Sequence, residues 1–124
     1  DSLPSLIKSF RIQEKARNIG FDWEHKEQVW DKVKEEYTEL KDELIKDANH
    51  ERIEDEYGDL LFSLVNAGRL YNINPDTALE KANKRFIRRF NYMEDHTIKE
   101  GIDLKSLSMK EKDKIWNQAK KEGL

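Results

Sequence analysis

Residues 54–70, E-D-E-Y-G-D-L-L-F-S-L-V-N-A-G-R-L, decide how this chain folds. Taking about 100° per residue, the apolar side chains Leu60, Leu61, Phe62, Leu64, Val65, Ala67 and Leu70 point in nearly every direction. That is the pattern of a helix buried all round rather than along one stripe. Glu56 and Asp59 stand at the start of the buried stretch, one turn apart and in line with Ser63 and Asn66. Carboxylates in such a place repel one another and lose their hydration, a cost of several kcal/mol per ion unless something compensates it.

A second acidic pair lies upstream, in V-K-E-E-Y-T-E-L-K-D-E-L over 33–44. Val29, Val33, Leu40 and Leu44 form an apolar seam at helical spacing, and Glu36 falls on that seam, with Glu39 one turn further on. If residues 24–72 fold as two antiparallel helices joined near Asp47-Ala48-Asn49, Glu36 comes level with Asp59 and Glu39 level with Glu56. One such pair in a chain with 40% charged residues is ordinary solvated surface. Two pairs, level across a hairpin and bordering apolar seams, instead predict a site for a hard divalent cation. Four oxygen donors with no Cys and no suitably placed His favour Mg²⁺ or Mn²⁺ over Zn²⁺ or copper. His25, His50 and His96 all fall near predicted helix ends and read as surface residues; none has the Glu-x-x-His spacing of a di-iron carboxylate bundle.

The 124 residues suit one domain with a modest core. A net charge of −3, with both signs interspersed, implies no nucleic-acid-binding surface. With no Cys there is no disulfide, so a reducing cytoplasm is the expected setting. No apolar run approaches a membrane span and no signal peptide is visible, so no membrane partner is expected. The chain starts at Asp1 rather than Met, and the expectation is a piece of a longer chain.

Two Pro and five Gly, with abundant Glu, Lys and Leu, predict an all-α fold of about five helices. The first runs over about 4–18, with Leu3, Leu6, Ile7 and Phe10 as its apolar face, and Gly20 closes it. Phe21-Asp22-Trp23 then connects to a second helix over about 24–46, its aromatics suiting either core packing or the wall of a flat ligand site. The third helix spans about 50–71. Asn74-Pro75 opens a fourth, running to about His96, with Asn74 as N-cap. After a loop through Gly101, Ser108-Met109-Lys110-Glu111 is a capping box for a last helix ending near Gly123.

The fourth helix has the apolar stripe Leu79, Ala82, Phe86, Phe90 and Met93. Arg89 lies within it and Arg85 borders it, whereas Lys81, Lys84 and Arg88 form a solvated outer face. Guanidinium groups beside a metal site suit a polyphosphate, to whose oxygens they offer fixed, fork-shaped donors. An internal ion pair with the acidic cluster is the alternative use for them.

Five blocks, taken in order, resemble the MazG family of nucleoside triphosphate pyrophosphohydrolases. They are Gly20-Phe21-Asp22-Trp23; Glu35-Glu36-x-x-Glu39; Glu56-x-x-Asp59 within E-Y-G-D-L-L-F; K-A-N-K-R-F-I-R-R-F over 81–90; and I-W-N-Q-A-K over 115–120. The likeness runs from about Ile12 to Lys120 and is greater to the second, catalytic copy of the domain found in tandem chains. The resemblance implies an all-α domain that dimerises and cleaves nucleoside triphosphates to monophosphate and pyrophosphate with Mg²⁺. It places the metal on Glu36, Glu39, Glu56 and Asp59. Substrate binding falls to Asn83, Arg85, Arg89, Trp116 and Lys120. Arg85 departs from the lysine expected in near relatives, which keeps the charge and changes the donor geometry.

The expected chemistry is metal-assisted hydrolysis. Mg²⁺ would neutralise the triphosphate and acidify a water, and Glu35 or one of the ligands would take the proton. Arg85, Arg89 and Lys120 would stabilise charge on the phosphoryl oxygens. Trp116 would stack on the base or close over it, and stacking accepts any base, so broad specificity is expected. A homodimer is expected independently, because a helix buried all round needs more neighbours than so short a chain supplies. The competing readings are a narrower pyrophosphohydrolase, for dUTP or phosphoribosyl-ATP, and a helical interaction module without catalysis.

Overall fold

A computed structural model describes residues 3–47 and 49–124. The elements in order are α1 (Ser5–Asn18), a 3₁₀ turn (Lys26–Gln28), α2 (Val29–Ile45), α3 (His50–Leu70), α4 (Pro75–Lys99), a second 3₁₀ turn (Leu104–Ser106) and α5 (Met109–Lys121). Among the described residues there is no strand, as an all-α fold requires. The chain divides into two compact units, Asp1–Ala78 and Leu79–Leu124, and the division falls inside α4. No helix of the described residues is long and apolar enough to cross a membrane.

In the first unit, α3 packs against both α2 and α1. Gly20 ends α1 as expected. At φ 86° it occupies the left-handed region that closes a helix, and the Gly20 and Phe21 amides return to the carbonyls of Arg17 and Ala16. The next helix starts later than its sequence pattern suggests. The Trp23 amide bonds the Asp22 side chain and the His25 amide bonds the Gln28 side chain, so local polar groups hold residues 22–28 out of the helix until Val29.

The α2–α3 hairpin has the expected register. Near its closed end Arg52 donates to Glu43 at 3.1 Å, a pair as far from the turn on each side as the register that sets Glu36 against Asp59. At its open end Trp30 donates to the Tyr71 hydroxyl at 3.0 Å. Asn49 caps α3 by accepting from the Arg52 amide. Ala48, in the expected turn, lies outside the described residues; Asp47 beside it has φ 55°. Val29 and Leu40 are buried along the seam, whereas Leu44 is exposed where the hairpin ends. Within one chain α3 is covered along Ser63, Val65, Ala67 and Arg69, while Leu61, Phe62 and Leu64 are each more than two-fifths exposed.

In the second unit α4 runs three residues past its expected end at His96. It stops at Gly101, φ 68°, where the Ile102 amide bonds the Thr97 carbonyl. Of its apolar stripe, Met93 is buried and Leu79, Phe86 and Phe90 are exposed. The Ser108–Glu111 capping box opens α5 as expected, with both reciprocal bonds formed.

Candidate active site

Three of the four predicted acids converge. Carboxylate oxygens of Glu36, Glu56 and Asp59 all lie within 4.8 Å of one another. The convergence follows from local structure: Glu36 sits on the inward seam of α2, and Glu56 and Asp59 share one face near the middle of α3. Glu36 is buried and Glu56 half-buried, and one oxygen of each, Oε2, is enclosed without a hydrogen-bond partner. Asp59 is exposed.

Lys32 is the cation at this cluster. Its Nζ lies 2.9 Å from Glu36 Oε1 and 3.4 Å from Glu35 Oε2. The hydrogen bond to Glu36 holds the lysine above its ordinary pKa. Lys32 reaches neither orphaned oxygen through a hydrogen bond, so two enclosed carboxylate oxygens remain to be satisfied. Such oxygens, with an exposed third carboxylate beside them, fit a hard divalent cation that takes oxygen ligands.

Glu39 stands next to this group rather than in it. It is exposed, one turn from Glu36, and the charge of Glu36 first, then burial and the charge of Glu56, hold its pKa above the ordinary value. Glu35 is exposed and paired with Lys32.

Glu36 and Asp59 line a cleft of about 680 Å³ within the first unit, a volume suited to a small molecule. Along α3 it is lined in turn by Asp59, Phe62, Ser63, Asn66 and Arg69, as their helical spacing requires. From Asp59 to Arg69 this row covers about 15 Å at 1.5 Å per residue. Phe21 and Trp23 also line it, together with Gln13 of α1. The aromatics of the 21–23 connection thus face a cleft.

Buried Arg69 pairs with the partly exposed Asp22, which sequence reasoning did not anticipate. Arg69 NH2 lies 2.6 Å from Asp22 Oδ1, NH1 reaches Oδ2 at 3.2 Å, and Nε and NH2 also donate to Asn66 Oδ1. This fork holds the Asp22 carboxyl below its ordinary pKa. A signal was present, since an arginine inside the apolar run 60–70 must find a partner. Gln13 carried a weaker one: it continues the helical spacing Leu6, Phe10 and so falls on the covered face of α1. Lys32 lies one turn before Glu36, within reach of it.

The predicted substrate residues lie in the second unit. Arg89 and Trp116 are brought together, the guanidinium 5.4 Å from the ring centroid, with Phe86 against the same ring at 5.2 Å. Arg89 also donates to the Leu124 carbonyl at 2.9 Å. Asn83, Arg85 and Lys120 are exposed.

The pattern of the MazG nucleotide pyrophosphohydrolase domain matches residues 24–93, the span holding all four predicted metal ligands. The chain is 43% identical over 118 residues to a Thermotoga maritima protein named nucleoside triphosphate pyrophosphohydrolase/pyrophosphatase MazG, covering 95% of this chain and 45% of that one. It is 35% identical over 122 residues to the nucleoside triphosphate pyrophosphohydrolase of Escherichia coli K12, covering 98% and 46%. It is also similar to a Bacillus subtilis protein, YabN, at 45% identity over 75 residues. The chain spans less than half the length of each of these relatives.

Proposed function

We propose that this chain, which belongs to the MazG nucleotide pyrophosphohydrolase domain family, hydrolyses nucleoside triphosphates to nucleoside monophosphate and pyrophosphate with Mg²⁺, Mn²⁺ serving as a substitute. The observation that carries the proposal is that Glu36 and Glu56 each keep an enclosed, unpartnered oxygen in a group whose carboxylates, with that of Asp59, come within 4.8 Å of one another. The names borne by the Thermotoga and Escherichia relatives support the same activity.

Glu36, Glu56 and Asp59 are the proposed metal ligands, with Glu39 as a fourth carboxylate at the edge of the group. Mg²⁺ there would neutralise the triphosphate tail and make a water easier to deprotonate near neutral pH. Glu35 is the proposed proton acceptor, held beside Glu36 by Lys32. The acids gather only in this arrangement of α2 and α3, so the hairpin register fixes where the phosphates can be bound. The family's motifs support Asn83, Arg85, Arg89 and Lys120 as phosphate-binding groups, with Trp116 as an aromatic face for the substrate. A homodimer is part of the proposal. Leu61 and Leu64 leave an apolar surface on α3 that a second copy would cover.

The test is to incubate the protein with each common nucleoside triphosphate, dUTP and phosphoribosyl-ATP in Mg²⁺ and identify the products, with Glu56→Ala as control. Monophosphate and pyrophosphate from the wild type alone, across several bases, is the expected result. Diphosphate and phosphate would overturn the activity, and turnover of dUTP or phosphoribosyl-ATP alone would overturn the broad specificity. Light scattering at micromolar concentration is expected to show about twice the 14.8 kDa of one chain.

A further inference from the structure

Gln13 is buried on α1, 5% exposed, and lines the cleft next to the aromatic wall. Its amide orientation is determined. Nε2 donates to the Phe62 carbonyl at 3.1 Å, and the flipped amide would instead set two acceptor oxygens against each other. The remaining atom, Oε1, is enclosed and has no hydrogen-bond partner. None of the bonds made by the cleft's other polar groups reaches it: Asp22 and the Asn66 carbonyl oxygen accept from Arg69, and Ser63 donates to the Leu60 carbonyl. A fixed acceptor left over in an otherwise apolar wall waits for a donor from a ligand.

The other end of the same cleft is the carboxylate group, and Phe62 lies less than one helical turn from Asp59. A ligand that fills the cleft must therefore be anionic enough to share a cation at one end and flat enough to lie among aromatics at the other. It must also carry an N–H for Gln13. We infer that Gln13 Oε1 is the base-reading acceptor for the nucleotide, taking a hydrogen bond from a ring or exocyclic N–H on the base's pairing edge. The inference rests on the hydrolase reading above and adds the residue that sets specificity. A lone acceptor also accounts for breadth, because every common base presents at least one N–H on that edge. It rejects a base that presents none.

Purine riboside 5′-triphosphate is the probe, since it differs from ATP only in lacking the 6-amino group. 7-Deaza-ATP, which keeps that group and changes the ring elsewhere, is the control. For the wild type, kcat/KM for ATP and 7-deaza-ATP should be similar and exceed that for purine riboside triphosphate by roughly 10- to 100-fold, the effect of burying an acceptor without its donor. Gln13→Met should lower ATP to the level of the analogue and close the gap. Equal use of ATP and the analogue by the wild type, or a gap that survives Gln13→Met, overturns the inference. The wild-type comparison stands without a folded variant. If no triphosphate is turned over, the hydrolase reading fails by itself. Calorimetric Kd values for the same three nucleotides then decide the role of Gln13, by the presence or absence of the same gap.

Discussion

The two ends of the cleft hold acidic side chains in opposite circumstances. At one end Asp22 meets a buried arginine, and the Arg69 fork is shared between Asp22 and Asn66, so the charges are matched where they sit. At the other, Glu36, Glu56 and Asp59 face one another with Lys32 paired to Glu36, and two of their oxygens are enclosed without a partner. Both arrangements remove carboxylates from bulk water, but only the first is complete within the chain. A paired buried charge holds helices in place, whereas an unpaired group of like charges reserves a position for something the chain does not supply.

The largest expected difference between the ends is in activity. Glu56→Gln keeps the size of the side chain and removes one charge from the unpaired group, so hydrolysis should fall on the order of 10³-fold or more. Thermal unfolding without metal should show the variant at least as stable as the wild type, because repulsion is relieved. A marked loss of metal-free stability in Glu56→Gln would put this end in the same structural class as the other.

Asp22→Asn should behave in the opposite way. Leaving the Arg69 guanidinium buried beside a neutral amide costs about 2 kcal/mol, less than for a fully enclosed pair because Asn66 still accepts and Asp22 is partly solvated. Urea unfolding at neutral pH measures it. The Asp22 pKa is lowered on folding, so its contribution is fully present above the ordinary aspartate value of 3.8 and disappears as pH falls through the depressed folded value. The wild type should lose this increment in acid and Asp22→Asn should not, so the gap between the two narrows at low pH.

The smallest effect belongs to Glu39. Its pKa is raised by Glu36 and then by Glu56, so its ionised form is disfavoured by folding. That cost is present above its folded pKa and is relieved as pH falls through it. Glu39→Gln should therefore raise the metal-free thermal midpoint slightly near neutral pH and weaken Mg²⁺ binding less than Glu56→Gln does. An equal or larger loss of Mg²⁺ binding would move Glu39 from the edge of the group to its centre.

Most of the first unit was legible because its rules are local. Helical spacing put Glu36 on a seam and Glu56, Asp59, Ser63 and Asn66 in a row, and the turn near residues 47–49 fixed the level of one helix against the other. The pairing of Glu43 with Arg52 in the structure follows the same register. Side-chain capping was less legible, so α2 began at Val29 instead of Glu24: the bonds from Asp22 and Gln28 compete with the helix in a way that apolar periodicity does not register. Arg69 and Gln13 show a different limit. Their partners lie 47 and 49 residues away, and no spacing within one helix identifies which distant group will meet a buried polar atom. The α4 stripe was legible as a pattern but not as burial, since Phe86 and Phe90 remain exposed in one chain.

The most direct measurement of the central claim is calorimetric titration of Mg²⁺ into the wild type and into Glu56→Gln at neutral pH. Saturable binding to the wild type, lost or weakened at least tenfold in the variant, is the predicted result. Equal binding to the two proteins, or no saturable binding to the wild type, would contradict the assignment of these carboxylates as a cation site.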